Sequence, residues 1–186
     1  MRLRRLFPLA ILLGAVLPAA ATLVVPMDLP ELVENANVIA VGHVADARAV
    51  VIDGQTETVV TLAADEYLKG DGGPHLAFRV PGGQIGRYRT VVVGAPVLDE
   101  GDEVVAFLAG ERGLQTVVGF SQGVLRVYRQ TMDGMPMVLA PPVSRDGARD
   151  QRVARGEAPR RFVPLSSFLD SVRGLAAARS SAQGVR

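Results

Sequence analysis

Four groups of residues in this chain could do chemistry. Gly119-Phe120-Ser121-Gln122-Gly123 fits G-x-S-x-G, the pattern that holds a nucleophilic serine on a sharp strand-to-helix turn. His43 stands three residues from Asp46, and His75 four from Asp71, the residue types of a metal site. Asp65-Glu66, Asp99-Glu100 and Asp102-Glu103 offer the paired carboxylates of a glycosidase. Gly82-Gly83-Gln84-Ile85-Gly86-Arg87-Tyr88-Arg89 sets arginine and tyrosine, which anchor interfaces, among glycines.

A serine nucleophile needs a base beside it. In the hydrolases that carry this pattern the histidine follows the serine and a helix follows the motif. Here both histidines precede Ser121, and Val124 to Tyr128 alternates like a strand. The stretch is therefore read as a hairpin turn, in which Gly123 supplies an unusual backbone angle and Ser121 and Gln122 cap local groups. A small serine hydrolase using Ser121 stays as the alternative of a different class. Neither histidine has ligand spacing such as H-E-x-x-H, and positions 43 and 46 of a strand face apart. Adjacent carboxylates likewise face apart, and nothing sets one in an apolar pocket, so they are read as solubilising charges. No catalytic residue, metal or cofactor is assigned. Gly82, Gly83, Arg87, Tyr88 and Arg89 remain as binding candidates, because long loops are where function tends to sit. Plain turn chemistry competes there, and the strand–loop–helix context of a phosphate cradle is missing.

The elements around these residues read mostly as strands. Asp28-Leu29-Pro30-Glu31 opens a short helix by capping. An extended run from Val38 reaches Ile52, bent at Gly42, and Asp53-Gly54 turns it into a second strand from Glu57 to Leu68. Further strands are expected at His75–Val80, Glu103–Leu108, Leu114–Phe120, Val124–Arg129 and Met135–Leu139, with a glycine-punctuated connection over 82–101. Residues 22–140 are thus expected to form one all-β domain, a small OB-like β-barrel closed to protect its edges. Residues 141–161, rich in Arg, Asp, Gly, Ala and Pro, read as a flexible basic linker. Leu165, Phe168, Leu169, Val172, Leu175 and Ala176 share one face of an amphipathic helix over 162–179, and 180–186 reads as a disordered tail.

The ends and the charge bound the setting. Met1-Arg2-Leu3-Arg4-Arg5, an apolar run from Leu6 to Leu17 and Pro18-Ala19-Ala20-Ala21 form a signal-peptide pattern over 1–21, cleaved near Ala21. The run is shorter than the roughly 20 residues of a membrane span. The expected protein is periplasmic or secreted. With no cysteine it has no disulfide, no lipid tether through an N-terminal cysteine and no thiolate metal site. Residues 22–142 hold 8 basic and 15 acidic groups, and residues 143–186 hold 9 basic and 4 acidic. An acidic body without tryptophan argues against nucleic acid as a partner.

The leading helix, Asn37 to Val44, Tyr67-Leu68-Lys69-Gly70 and Gly101 to Leu108 together resemble the N-terminal domain of tissue inhibitors of metalloproteinases and related netrin-like modules. With Pro81-Gly82-Gly83 and the Ser121 turn, the order is closer to a class of exported bacterial proteins. The resemblance covers about 28–130 and implies an OB-type barrel. Those inhibitors use an N-terminal cysteine that this chain lacks, so their mechanism does not carry over. The expected function is a non-catalytic protein-interaction module, with a protease-inhibitor-like domain as the alternative. The expected partner is another exported protein, a protease being the case the resemblance singles out. No stable membrane span is expected, and the oligomeric state is left open.

Overall fold

The structure, a computed structural model, describes residues 26–110, 114–130, 134–141 and 160–183. The expected signal peptide, most of the linker and the end of the tail lie outside these residues. The chain order is α1 (Leu29–Asn35), β1 (Val38–Ile52), β2 (Gln55–Lys69), β3 (His75–Pro81), β4 (Gly83–Ile85), β5 (Tyr88–Thr90), β6 (Glu103–Ala109), β7 (Gln115–Val117), β8 (Val124–Arg129), β9 (Pro136–Ala140), β10 (Arg161–Pro164) and α2 (Leu165–Gln183). The fold is mostly β, with a short helix before the strands and a longer one after them.

Helix α1 forms because both of its ends are satisfied. The Glu31 amide donates to Asp28 Oδ1 at 2.9 Å, and the Asp28 amide donates to Glu31 Oε2 at 3.1 Å. At the other end Lys69 Nζ donates to the carbonyls of Val33 at 2.8 Å and Ala36 at 2.6 Å. A cation there also meets the negative end of the helix dipole. Burial holds the Lys69 ammonium below its usual pKa, Arg179 lowers it further, and Glu34 opposes both.

β1 and β2 make a long hairpin, and Asp53 and Gly54 at its turn both have positive φ. The register slips between Val41 and Gly42, where a Cβ would run into the Ala63 carbonyl. Beyond β2 the ladder passes to β3, then in parallel to β7, then to β6. The N-terminal half of β1 pairs on its second edge with β6, so the pairings return to their start. β8, β9 and β10 continue from β6 as an extension.

This double pairing places Val38–Val41 of β1 and Val104–Leu108 of β6 at the centre of the sheet, where both faces are buried and the sequence is continuously apolar. Val38, Ala40, Val44, Val104, Ala106 and Leu108 meet Leu62, Phe78 and Val80 in one apolar layer. Ile39, Val41, Val105 and Phe107 point the other way, into a layer closed by α1 and α2. There Phe168 packs edge-on against Phe107 with ring centroids 6.4 Å apart. The expected face of α2 is the one used: Leu165, Phe168, Leu169, Val172 and Ala176 are buried, and Leu175 packs against them.

Four elements differ from expectation. The strand expected over Leu114–Phe120 is only β7, Gln115–Val117, because the chain turns away from β6 after Val117. Residues 83–90 are a β-hairpin rather than part of a featureless connection. Residues 161–164, expected to close the linker and start the helix, are strand β10; pairing with β9 holds them extended, so α2 starts at Leu165. The helix also runs past the expected end at 179, through residue 183.

Candidate functional site

The candidate binding residues come together on the β4–β5 hairpin. Gly82 leaves β3 with φ 89°, its amide donating to Thr56 O at 2.9 Å, while Thr58 Oγ1 donates to Gly82 O at 2.8 Å. A Cβ on Gly83 would sit 2.5 Å from Thr58 Oγ1 and 2.7 Å from Ala49 Cβ. Gly83 thus allows close approach to β1 and β2, while a Cβ on Gly82 would lie 2.8 Å from Thr90 O in β5. Both glycines seat the hairpin. Ile85 pairs with Tyr88 across Gly86-Arg87, where Gly86 takes the positive φ of 58° that a tight turn requires.

What the hairpin displays is cationic and apolar. Tyr88 is 69% exposed, Val91 72% and Val93 93%, with Ile85 and Val97 also exposed. The Arg87 guanidinium lies 5.0 Å from the Tyr88 ring centroid and donates to its hydroxyl at 2.9 Å, which holds the two side chains together. Six other arginines find carboxylates, Arg48 with Asp46, Arg79 with Glu57, Arg126 with Asp102, Arg129 with Glu103, Arg173 with Glu66 and Arg179 with Glu34, whereas among the described residues Arg160 and Arg161 at the start of β10 find none. Among the described residues Arg87 and Arg89 have no carboxylate partner. Two guanidiniums are thus left for an outside anion beside exposed β-branched and aromatic side chains.

The Ser121 stretch is not a hairpin between neighbouring strands. β7 and β8 both pair with the same edge of β6, so they lie end to end. Leu108 faces Val117 and Ala106 faces Val124, so two steps along β6 correspond to seven along the other chain. The surplus is pinched out as a loop by Gly123 N to Val118 O at 2.9 Å, Phe107 N to Gly123 O at 2.7 Å and Val118 N to Phe107 O at 3.0 Å. Positive φ falls on Gly119 and Phe120, not on Gly123 as expected. Gly123 is required for space instead, since a Cβ would lie 2.7 Å from Val118 O and 2.8 Å from Phe107 O. Gln122 caps locally, its Nε2 donating to Gly119 O at 3.4 Å, and also at long range, its Oε1 accepting the Met27 amide at 2.7 Å, which fixes the approach to α1. A strand follows Ser121, its backbone is unstrained, and among the described residues no base is hydrogen-bonded to its hydroxyl.

His43 and several of the acids meet polar partners across the sheet. His43 Nδ1 is 3.1 Å from Asp65 and Nε2 is 3.9 Å from Glu103, so the two carboxylates address different ring nitrogens and do not converge on one point. Asp46 turns to Arg48, and His75 stands exposed at the start of β3. No group of three His, Asp or Glu able to hold a metal occurs among the described residues. The carboxylates expected to be solvated mostly have work in the fold. Asp102 accepts the Asp99 amide at 2.8 Å and pairs with Arg126 at 2.7 Å, Glu103 pairs with Arg129 at 2.7 Å, and Glu66 pairs with Arg173 at 2.7 Å.

Val91 and Val93 escaped the sequence reading as site residues; the signal was a β-branched run directly after the arginines. An exposed aromatic pair, Tyr128 and Phe162 with centroids 5.7 Å apart, was missed because only the β8–β9–β10 pairing brings them together. No described helix is long and apolar enough to cross a membrane. Compared with family models, curated proteins and solved structures, the chain shows no match.

Proposed function

We propose that this protein is an exported, non-catalytic interaction module that contacts another protein through the β4–β5 hairpin and the segment after it. The observation that carries the proposal is the pair of guanidiniums, Arg87 and Arg89, without carboxylates beside exposed Tyr88, Val91 and Val93. Arginine and tyrosine are the side chains that most often dominate binding energy, and valines beside them exclude water. The scaffold of the proposal is an OB-type barrel. Its support is the return of the pairings through β1, β2, β3, β7 and β6 to β1, with β3 and β7 parallel. Export rests on the signal-peptide pattern at 1–21.

The test is affinity capture from envelope extract with mass spectrometry, using the natural chain and the double variant Arg87→Ala/Tyr88→Ala. A defined partner held by the first and lost by the second supports the proposal; the same set held by both refutes it. A serine-reactive fluorophosphonate probe is run in parallel. Labelling at Ser121 refutes the non-catalytic assignment.

A further inference from the structure

We infer that the partner is bound by strand addition: an extended, acidic segment of another protein hydrogen-bonds to the free edge of β5. The inference rests on the interaction reading above and specifies its geometry.

The edge is available. β4 and β5 form a two-stranded sheet of their own, with β4 lying against β1 and β2. Among the described residues β5 pairs with nothing but β4. In a hairpin with a two-residue turn the flanking residues, here Ile85 and Tyr88, exchange both hydrogen bonds. The next pair, Gln84 and Arg89, does not, so the Arg89 amide and carbonyl point away from the hairpin. They are a donor and an acceptor set for an incoming strand.

The side chains define what that strand carries. Successive residues of β5 face opposite ways, so Arg89 lies on one face and Tyr88 and Thr90 on the other. A partner that alternates acidic and apolar residues sets carboxylates beside Arg89 and apolar groups along Tyr88. Past β5 the chain offers Val91 and Val93, both open to contact. A second copy adding its own β5 about the outward-pointing Arg89 does not fit, since it would set Arg89 against Arg89. The body adds a filter: residues 22–142 hold 15 acidic groups against 8 basic, so an acidic partner is repelled except where these arginines stand.

The probe is a fluorescein-labelled peptide of alternating glutamate and valine, with a lysine–valine peptide of equal length as control. Binding is read by fluorescence anisotropy against the full chain. The acidic peptide is expected to bind, the basic one not, and affinity to fall as salt rises. Arg89→Pro removes the outward amide while sparing the bonds between β4 and β5, and should weaken binding at least about tenfold. Arg89→Ala, which keeps the amide, should weaken it less. Because Arg89→Pro could disturb the hairpin itself, hydrogen exchange at the Arg89 amide of the natural chain is the second readout, with slowing of about tenfold expected on peptide binding. Equal binding of the two peptides, no acidic binding at millimolar concentration, or an Arg89 amide that exchanges equally fast in the complex each overturns the inference. A natural partner that Arg87→Ala/Tyr88→Ala loses and Arg89→Pro retains overturns strand addition while leaving the hairpin as the contact surface. One retained by both variants overturns the contact surface itself.

Discussion

Gly123→Ala is the sharpest probe of what the G-x-S-x-G stretch does. The added Cβ would lie 2.7 Å from Val118 O and 2.8 Å from Phe107 O. Carbon–oxygen contacts ordinarily stay at about 3.3 Å or more, so the backbone has to move by several tenths of an ångström. Both oxygens accept hydrogen bonds that close the loop, from Gly123 N at 2.9 Å and Val118 N at 3.0 Å, and Gly123 O accepts a third from Phe107 N at 2.7 Å. Weakening three such bonds at about 1 kcal/mol each, with some strain added, gives a loss of about 2–4 kcal/mol. Urea unfolding measures it: with a slope of about 2 kcal/mol per molar, the midpoint should fall by roughly 1–2 M. Ser121→Ala should stay within about 0.5 kcal/mol of the natural chain, because no hydrogen bond joins its hydroxyl to a described residue. A Gly123→Ala chain as stable as the natural one, or a Ser121→Ala chain as damaged, would refute the assignment of this motif to strand geometry.

Other substitutions probe the scaffold. Phe168→Ala leaves a cavity against Phe107 and should cost about 3–5 kcal/mol in the same urea assay, whereas exposed Phe162→Ala should cost under about 1 kcal/mol. Lys69→Met removes the donor that closes α1 and should cost about 1–2 kcal/mol, read by thermal unfolding at constant pH. The hydrogen bond from Arg179 holds the Glu34 carboxyl below the ordinary glutamate pKa, outweighing desolvation. A carboxylate lowered in this way contributes stability that is complete above its unfolded value of about 4.3 and is lost as pH falls through the lowered one. Acid titration of stability should therefore lose part of its steepness below that value in Glu34→Gln.

Much of the scaffold was legible because its signals are local. Asp28 and Glu31 cap each other three residues apart, Asp53-Gly54 turns two long strands, and the face of α2 repeats at helical spacing. What stayed hidden depends on distant partners. Three-residue strands such as β4 and β5 carry no alternation to read, and the hairpin's seat on Ala49 and Thr58 exists only in three dimensions. The pinched loop is invisible without Phe107 on the neighbouring strand. Arg87 and Arg89 were legible as residues that could bind. That they lack carboxylates, while six other arginines have them, is a tertiary fact. The contact of Asp65 with His43 and the ion pairs of Asp102 and Glu103 are tertiary for the same reason.

Site-specific crosslinking tests the central claim most directly. A benzophenone amino acid placed at Val91, beside the arginines, reports what touches that surface in the intact cell envelope; one at Ser167, exposed on α2, serves as the control. The account predicts one discrete adduct with another protein from position 91, absent from position 167 and lost when Arg87→Ala/Tyr88→Ala is added. No adduct from position 91, or the same adducts from both positions, would contradict it.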